Sequence, residues 1–273
     1  MSKYLLGICE WSFPLTGPAG IRMMPRYGIR EVQLDLGPYE TGLPLSVPEI
    51  QQEYLAAAKD SGVFLQSICC SDLGLFGTTN SPESSKGQIA REIITAGIYA
   101  AEAMGVSSVM LTNFRDGLVK DEDGYRNVCE TFKWACELAS DHGVHIISES
   151  AMSCDQILRL FDFVKDDSMS ICFDTQNPWI RWGYYVPDMV YELRDLISFI
   201  HIKDGKDGVI SSCLIGEGDS SFEQSVQAIR NIGYSGTIMF ENLYNKKPLS
   251  DRGNPFLLLQ KDVMLYHKYF PDT

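Results

Sequence analysis

The chain has 273 residues, a length that suits one large α/β barrel domain and is short for two average ones. Apolar residues make up 45% and charged residues 22%, which excludes a disordered chain. Lys and Arg number 23 against 36 Asp and Glu; the resulting charge of −13 repels phosphate backbones and argues against general nucleic-acid binding. No apolar run reaches the roughly 18 residues a membrane span needs, and the opening MSKYLLGICEW carries no secretion signature. The cysteines at 9, 69, 70, 129, 136, 154, 172 and 213 form no CxxC pair. Buried free thiols and a cytoplasmic location are therefore expected.

Short apolar and β-branched runs predict strands over Tyr4–Glu10, Glu31–Leu36, Val63–Cys70, Ser108–Thr112, Val144–Ser150, Met169–Asp174, Ile197–Lys203 and Thr237–Asn242. Helical patterns lie between them. Ile89, Ile93, Ala96, Ala100 and Ala103 form one stripe that stops at Gly105. Tyr125, Val128, Cys129, Phe132, Ala135, Cys136 and Ala139 form a second that stops at Gly143. Capping boxes are expected at Ser46 with Glu49, Ser153 with Gln156 and Ser221 with Gln224. Eight strands alternating with helices, about 34 residues per unit, predict a single (β/α)₈ barrel domain over 1–273. An open doubly wound sheet is the competing architecture, but no GxGxxG turn follows the first strand.

Barrel chemistry sits at the C-terminal ends of strands. Those ends read Glu10, Asp35, Ser71, Asn113, Glu149, Asp174 with Asn177, His201 with Lys203, and Glu241. In the last four, a carboxylate or imidazole closes an apolar run, and a carboxylate placed there must pair or bind a cation. Three carboxylates and one imidazole make a hard, oxygen-rich donor set that suits Mn²⁺ or Mg²⁺ better than structural zinc. Taken singly, each such acid is as well explained as a helix cap, and the histidine as a buried, hydrogen-bonded ring. Lys203 shares a strand face with His201, and either a substrate oxygen or a neighbouring carboxylate would satisfy it. Lys246, Lys247 and Arg252 follow the last strand, where barrels often hold phosphate, though an exposed charge run usually faces only water.

These elements resemble the xylose isomerase-like barrel superfamily, in its sugar (phosphate) isomerase and epimerase branch, related to tagatose 3-epimerases and inosose dehydratases. The resemblance rests on the Glu of SES (148–150), the Asp of FDTQN (173–177), HIKD (201–204), GEGD (216–219) and the Glu of FEN (240–242). It implies one divalent metal held by Glu149, Asp174, His201 and Glu241: Mn²⁺ in first place, with Mg²⁺, Co²⁺ or Zn²⁺ as alternatives. Glu149 and Glu241 would double as the acid/base pair that moves a proton through an enediolate. Asn177, Asp155, Lys203, Asn113 and Trp11 are the expected substrate contacts. The implied partner is a small-molecule sugar or sugar phosphate, with neither nucleic acid nor membrane, and the implied assembly is a homodimer or homotetramer. Asn177 departs from the branch, which often has His there. Ser71, Asn113 and Asn177 also stand where an endonuclease relative needs metal-binding His, which excludes a trinuclear site. A dehydratase or lyase on the same scaffold is the first alternative, and a non-catalytic sugar-binding subunit the second.

Overall fold

The structure is a computed structural model that describes residues 3–271; Met1 and Ser2, which open the segment read above for a leader, lie outside the described residues. Its strands are β1 (Tyr4–Cys9), β2 (Glu31–Asp35), β3 (Phe64–Cys70), β4 (Ser108–Asn113), β5 (His145–Ser150), β6 (Ser170–Asp174), β7 (Ile197–Ile202) and β8 (Gly236–Phe240). The helices between and after them are α1 (Gly17–Met23), α2 (Pro48–Ser61), α3 (Ser85–Met104), α4 (Glu122–Asp141), α5 (Cys154–Val164), α6 (Asn177–Trp182), α7 (Val186–Leu193), α8 (Phe222–Asn231) and α9 (Pro255–Tyr269). The strands run parallel and close into a barrel in the order β1 to β8, the (β/α)₈ architecture expected from the sequence. Most are buried along nearly their whole length, which is why they read as apolar runs rather than alternating ones. Among the described residues no helix is long and apolar enough to cross a membrane. The eight cysteines are thiols in no disulfide, and seven of them are buried.

Contacts along the chain group into two compact units, with divisions inside β2, α2, β3 and β6. The first comprises the chain up to Gln33, residues 56–65, and everything from Phe173 onward. Here β1 pairs with β2 (Cys9 opposite Gln33) and with β8 (Gly7 opposite Met239), and β7 pairs with β8 (His201 opposite Met239). Gly7 is required by this spacing, since a Cβ there would lie 2.8 Å from Met239 Cγ.

The second unit comprises residues 34–55 and 66–172. In it β4 pairs with β3 and β5, and β5 with β6; Glu149 stands opposite Thr112 and Ser148 opposite Ile171. The α4 stripe is buried as its spacing predicts. The α3 stripe is met in part: Ile93 and Ala100 are buried as expected, but Ala103 is exposed, and the buried face extends to Ala90, Ile94, Gly97, Ile98, Ala101 and Met104. The larger Ile94, Ile98 and Met104 side chains decide that face, because each buries more area than an alanine. Gly97 on it lets the helix lie close to β3, where a Cβ would meet Cys70 Sγ at 2.7 Å.

Candidate active site

The first unit gathers most of the expected site. Asp174 ends β6 and is buried. Its Oδ1 accepts the backbone N–H groups of Gln176 (2.7 Å) and Asn177 (2.5 Å), turning the chain into α6. Its Oδ2 meets the Lys203 ammonium at 2.8 Å. Thr175, next along, ties this turn to β7: its N–H donates to the His201 carbonyl at 3.1 Å and its hydroxyl to the Lys203 carbonyl at 3.0 Å. β7 and β8 stop one and two residues earlier than predicted. Even so, Glu241 N–H donates to Ile202 O at 2.9 Å, so the ladder still fixes Glu241 just beyond β8.

His201 is fully buried, with Nδ1 3.4 Å from Glu241 Oε2 and Nε2 3.0 Å from Gln33 Oε1. The Trp11 indole N–H donates to Glu241 Oε1 at 3.3 Å, and its ring stands edge-on to the imidazole. Lys203, also buried, pairs with both Glu241 and Asp174. One ligand atom from each of Asp174, His201 and Glu241 lies within 4.8 Å of the others. The two carboxylates are driven in opposite directions. Burial raises Asp174 more than Lys203 lowers it, whereas for Glu241 the burial penalty is outweighed by Lys203 and then His201, which hold it well below the usual carboxylate range.

Around this cluster lies a rim that sequence reading left without a role. Asp204 accepts from Gly205, Gly216 and Gly218 N–H and from the Ser220 hydroxyl, and so folds the GEGD turn. Asn242, beside Glu241, accepts from Asp204 N–H and donates to Asp262 of α9. Both Asp204 and Asn242 fall inside motifs quoted above, but their partners lie too far along the chain for any local pattern to reveal. Of the cations after β8, Lys247 pairs with Asp251 at 3.3 Å and Arg252 with Glu217 of the GEGD turn at 2.5 Å.

In the second unit Glu149 is buried near the end of β5, close to Cys172. Asn113 ends β4, buried; its amide donates to Thr78 Oγ1 at 2.6 Å and its Oδ1 has no hydrogen-bond partner among the described residues. Asp155 lies in the first turn of α5 with its side chain 78% exposed, 3.7 Å from Arg159. The structure thus brings Trp11, Asp174, His201, Lys203 and Glu241 together, with the Asn177 backbone bound to Asp174.

A closed parallel barrel with polar groups at its strand ends defines the class, and residues 22–256 match the model of the xylose isomerase-like TIM barrel family, to which this chain belongs. It is 27% identical over 226 residues, 82% of each chain, to a 2-epi-5-epi-valiolone 7-phosphate 2-epimerase of an Actinoplanes species. Its fold matches D-psicose 3-epimerase with D-tagatose from Clostridium cellulolyticum at a TM-score of 0.75, with 13% identity and full coverage of both chains. It also matches a xylose isomerase-like TIM barrel protein from Mycobacterium smegmatis in complex with magnesium, at a TM-score of 0.70, 15% identity, and 99% and 98% coverage.

Proposed function

We propose that this chain is a divalent metal-dependent sugar or sugar-phosphate isomerase or epimerase. Glu149, Asp174, His201 and Glu241 hold the cation, with Mn²⁺ in first place. The observation that carries this reading is the group of one imidazole and two carboxylates, His201, Asp174 and Glu241, whose ligand atoms lie within 4.8 Å of one another. The two carboxylates share a single ammonium, that of Lys203, which leaves negative charge for a cation to offset, and the donor set is hard and oxygen-rich. Glu149 enters because it is a buried carboxylate at the end of β5, the strand before β6 in the barrel order.

When bound, a divalent cation draws charge from a carbonyl oxygen and acidifies the adjacent C–H. The protein's own groups then move the proton. Glu241, kept ionised by Lys203 and oriented by the Trp11 indole, removes it, and Glu149, having taken a proton from solvent, gives that proton to the planar carbon. Lys203 bridges Asp174 and Glu241, Asn177 and Asn113 offer amides to substrate hydroxyls, and Trp11 packs on the apolar face of the ring. We place no substrate contact on Asp155, which is exposed and paired with Arg159. The unbridged thiols agree with a cytoplasmic setting.

The test is solvent exchange. The Mn²⁺-loaded protein is incubated in deuterated water with ketoses, cyclic polyol ketones and their phosphates, the phosphates first because the Actinoplanes relative is named for a 7-phosphate. Deuterium should enter at the carbon next to the carbonyl, and Glu241→Gln should slow this by at least about 10²-fold, the scale of a missing general base. A new enone absorbance would replace epimerisation with dehydration, and no exchange with any substrate would overturn the reading.

A further inference from the structure

The side of His201 away from the carboxylates is occupied by two polar groups that sequence reading did not single out. Cys9 and Gln33 are register partners on β1 and β2, and both are fully buried. Gln33 Oε1 lies 3.0 Å from His201 Nε2 and accepts the Cys9 thiol at 3.6 Å, while Cys9 Sγ lies 3.4 Å from the same Nε2. The oxygen end of the Gln33 amide faces this corner, and its contact with Nε2 is the shortest of the three. A carbonyl oxygen opposite a bare nitrogen lone pair would repel it, so Nε2 carries the proton. Nδ1 is then the nitrogen that faces the cluster, 3.4 Å from Glu241.

We propose that Gln33 is a positioning residue: its side-chain carbonyl fixes the Nε2–H tautomer of His201 and aims Nδ1 toward Asp174 and Glu241 as the only nitrogen able to ligate. This rests on the reading that those residues hold a divalent cation, and it assigns to β2 a part in the site. The placement is economical, because a polar residue in the middle of a buried strand needs a partner, and the imidazole N–H supplies one. An apolar residue at 33 would leave that N–H buried without its acceptor and free the ring to turn over or change tautomer.

The experiment uses the full chain labelled with ¹⁵N at its four histidines, and Mn²⁺ alone as the probe. Ring nitrogen shifts report the tautomer, with the His201 signals assigned by their loss in His201→Asn. Free Mn²⁺ measured by electron paramagnetic resonance reports affinity. Wild type should show a protonated Nε2. Gln33→Leu should lose that fixed pattern and bind Mn²⁺ about 10- to 100-fold more weakly, the scale of losing an outer hydrogen-bond partner. Gln33→Glu, which can still accept the N–H, should keep the pattern and bind within a few-fold of wild type. Should Gln33→Leu fail to fold, Gln33→Met, closest in length, takes its place. A Leu or Met variant with unchanged tautomer and unchanged Mn²⁺ affinity overturns this inference alone. A wild type with the expected ring pattern that takes up no Mn²⁺ overturns the cation reading on which it rests.

Discussion

Asp174 carries two separate loads on its two oxygens, one in the backbone and one in the site. Oδ1 satisfies the N–H groups of Gln176 and Asn177 at the start of α6, where no other side chain caps the turn. Oδ2 belongs to the cluster with His201, Lys203 and Glu241. The helix-cap and metal-ligand explanations of a strand-end aspartate are therefore not exclusive. Substitution should separate the two loads. Asp174→Asn keeps an acceptor for both N–H groups and should unfold within about 1 kcal/mol of wild type, whereas Asp174→Ala strands two buried donors and should cost about 2–5 kcal/mol. Urea midpoints of the two variants check this; equal losses would mean that the capping oxygen does not matter. The placement of Asp174 was legible in the sequence because an ionisable group that closes an apolar run is costly and so needs a reason. Gln33, the middle of three polar residues that alternate along EVQLD, gave no such signal, and its contact with His201 of β7 is visible only in the folded barrel.

At the level of elements, the strands and most helices follow from period and punctuation, and the exceptions have local causes. The pattern Ser-x-x-Gln occurs at 153 and again at 221. At 153 both halves of the capping box form, Ser153 Oγ taking the Gln156 N–H and Gln156 Oε1 the Ser153 N–H. Ser221 instead sits at φ 60°, a left-handed conformation that turns its side chain from capping, and it makes no cap hydrogen bond. Ser46 fails for another reason: Pro48 begins α2, and the Ser46 hydroxyl donates to the Leu43 carbonyl. A four-letter motif cannot report the φ that a preceding loop imposes, and here that loop is the GEGD turn folded around Asp204. Thermal unfolding should therefore distinguish the two serines. Ser153→Ala should cost about 1 kcal/mol, a lost cap. Ser221→Gly should be neutral or stabilise by up to about 1 kcal/mol, because glycine occupies the left-handed region without a Cβ penalty. A Ser221→Gly variant as damaged as Ser153→Ala would contradict this account.

Across the whole molecule, the barrel and its strand order were readable from the repeat of strand and helix. The fastening of the rim was not, because its key group lies on the last helix. Asp262 of α9 is buried and accepts from Ile215 N–H at 3.0 Å, Asn242 Nδ2 at 2.8 Å and the Tyr244 hydroxyl at 2.7 Å, which joins the loops after β7 and β8 to α9. Burial outweighs these donors and pushes its carboxyl up to about 7. The sign follows from proton binding. Between the unfolded value of 3.8 and about 7 the folded state holds a proton that the unfolded state has released, so stability falls as pH rises through this window. The stabilisation from this group is complete below 3.8 and gone above about 7. The substitution Asp262→Asn mimics the neutral acid and removes this dependence. Urea unfolding of wild type and Asp262→Asn, compared from about pH 5 to about pH 8, should show the variant gaining on wild type as pH rises. The slope should approach about 1.4 kcal/mol per pH unit at most, the linkage value of one proton. Comparing the pair cancels the other titrating carboxylates, such as Asp204 and Glu31, which burial also raises. Parallel curves would show that Asp262 is ionised throughout, held as a carboxylate by its three donors.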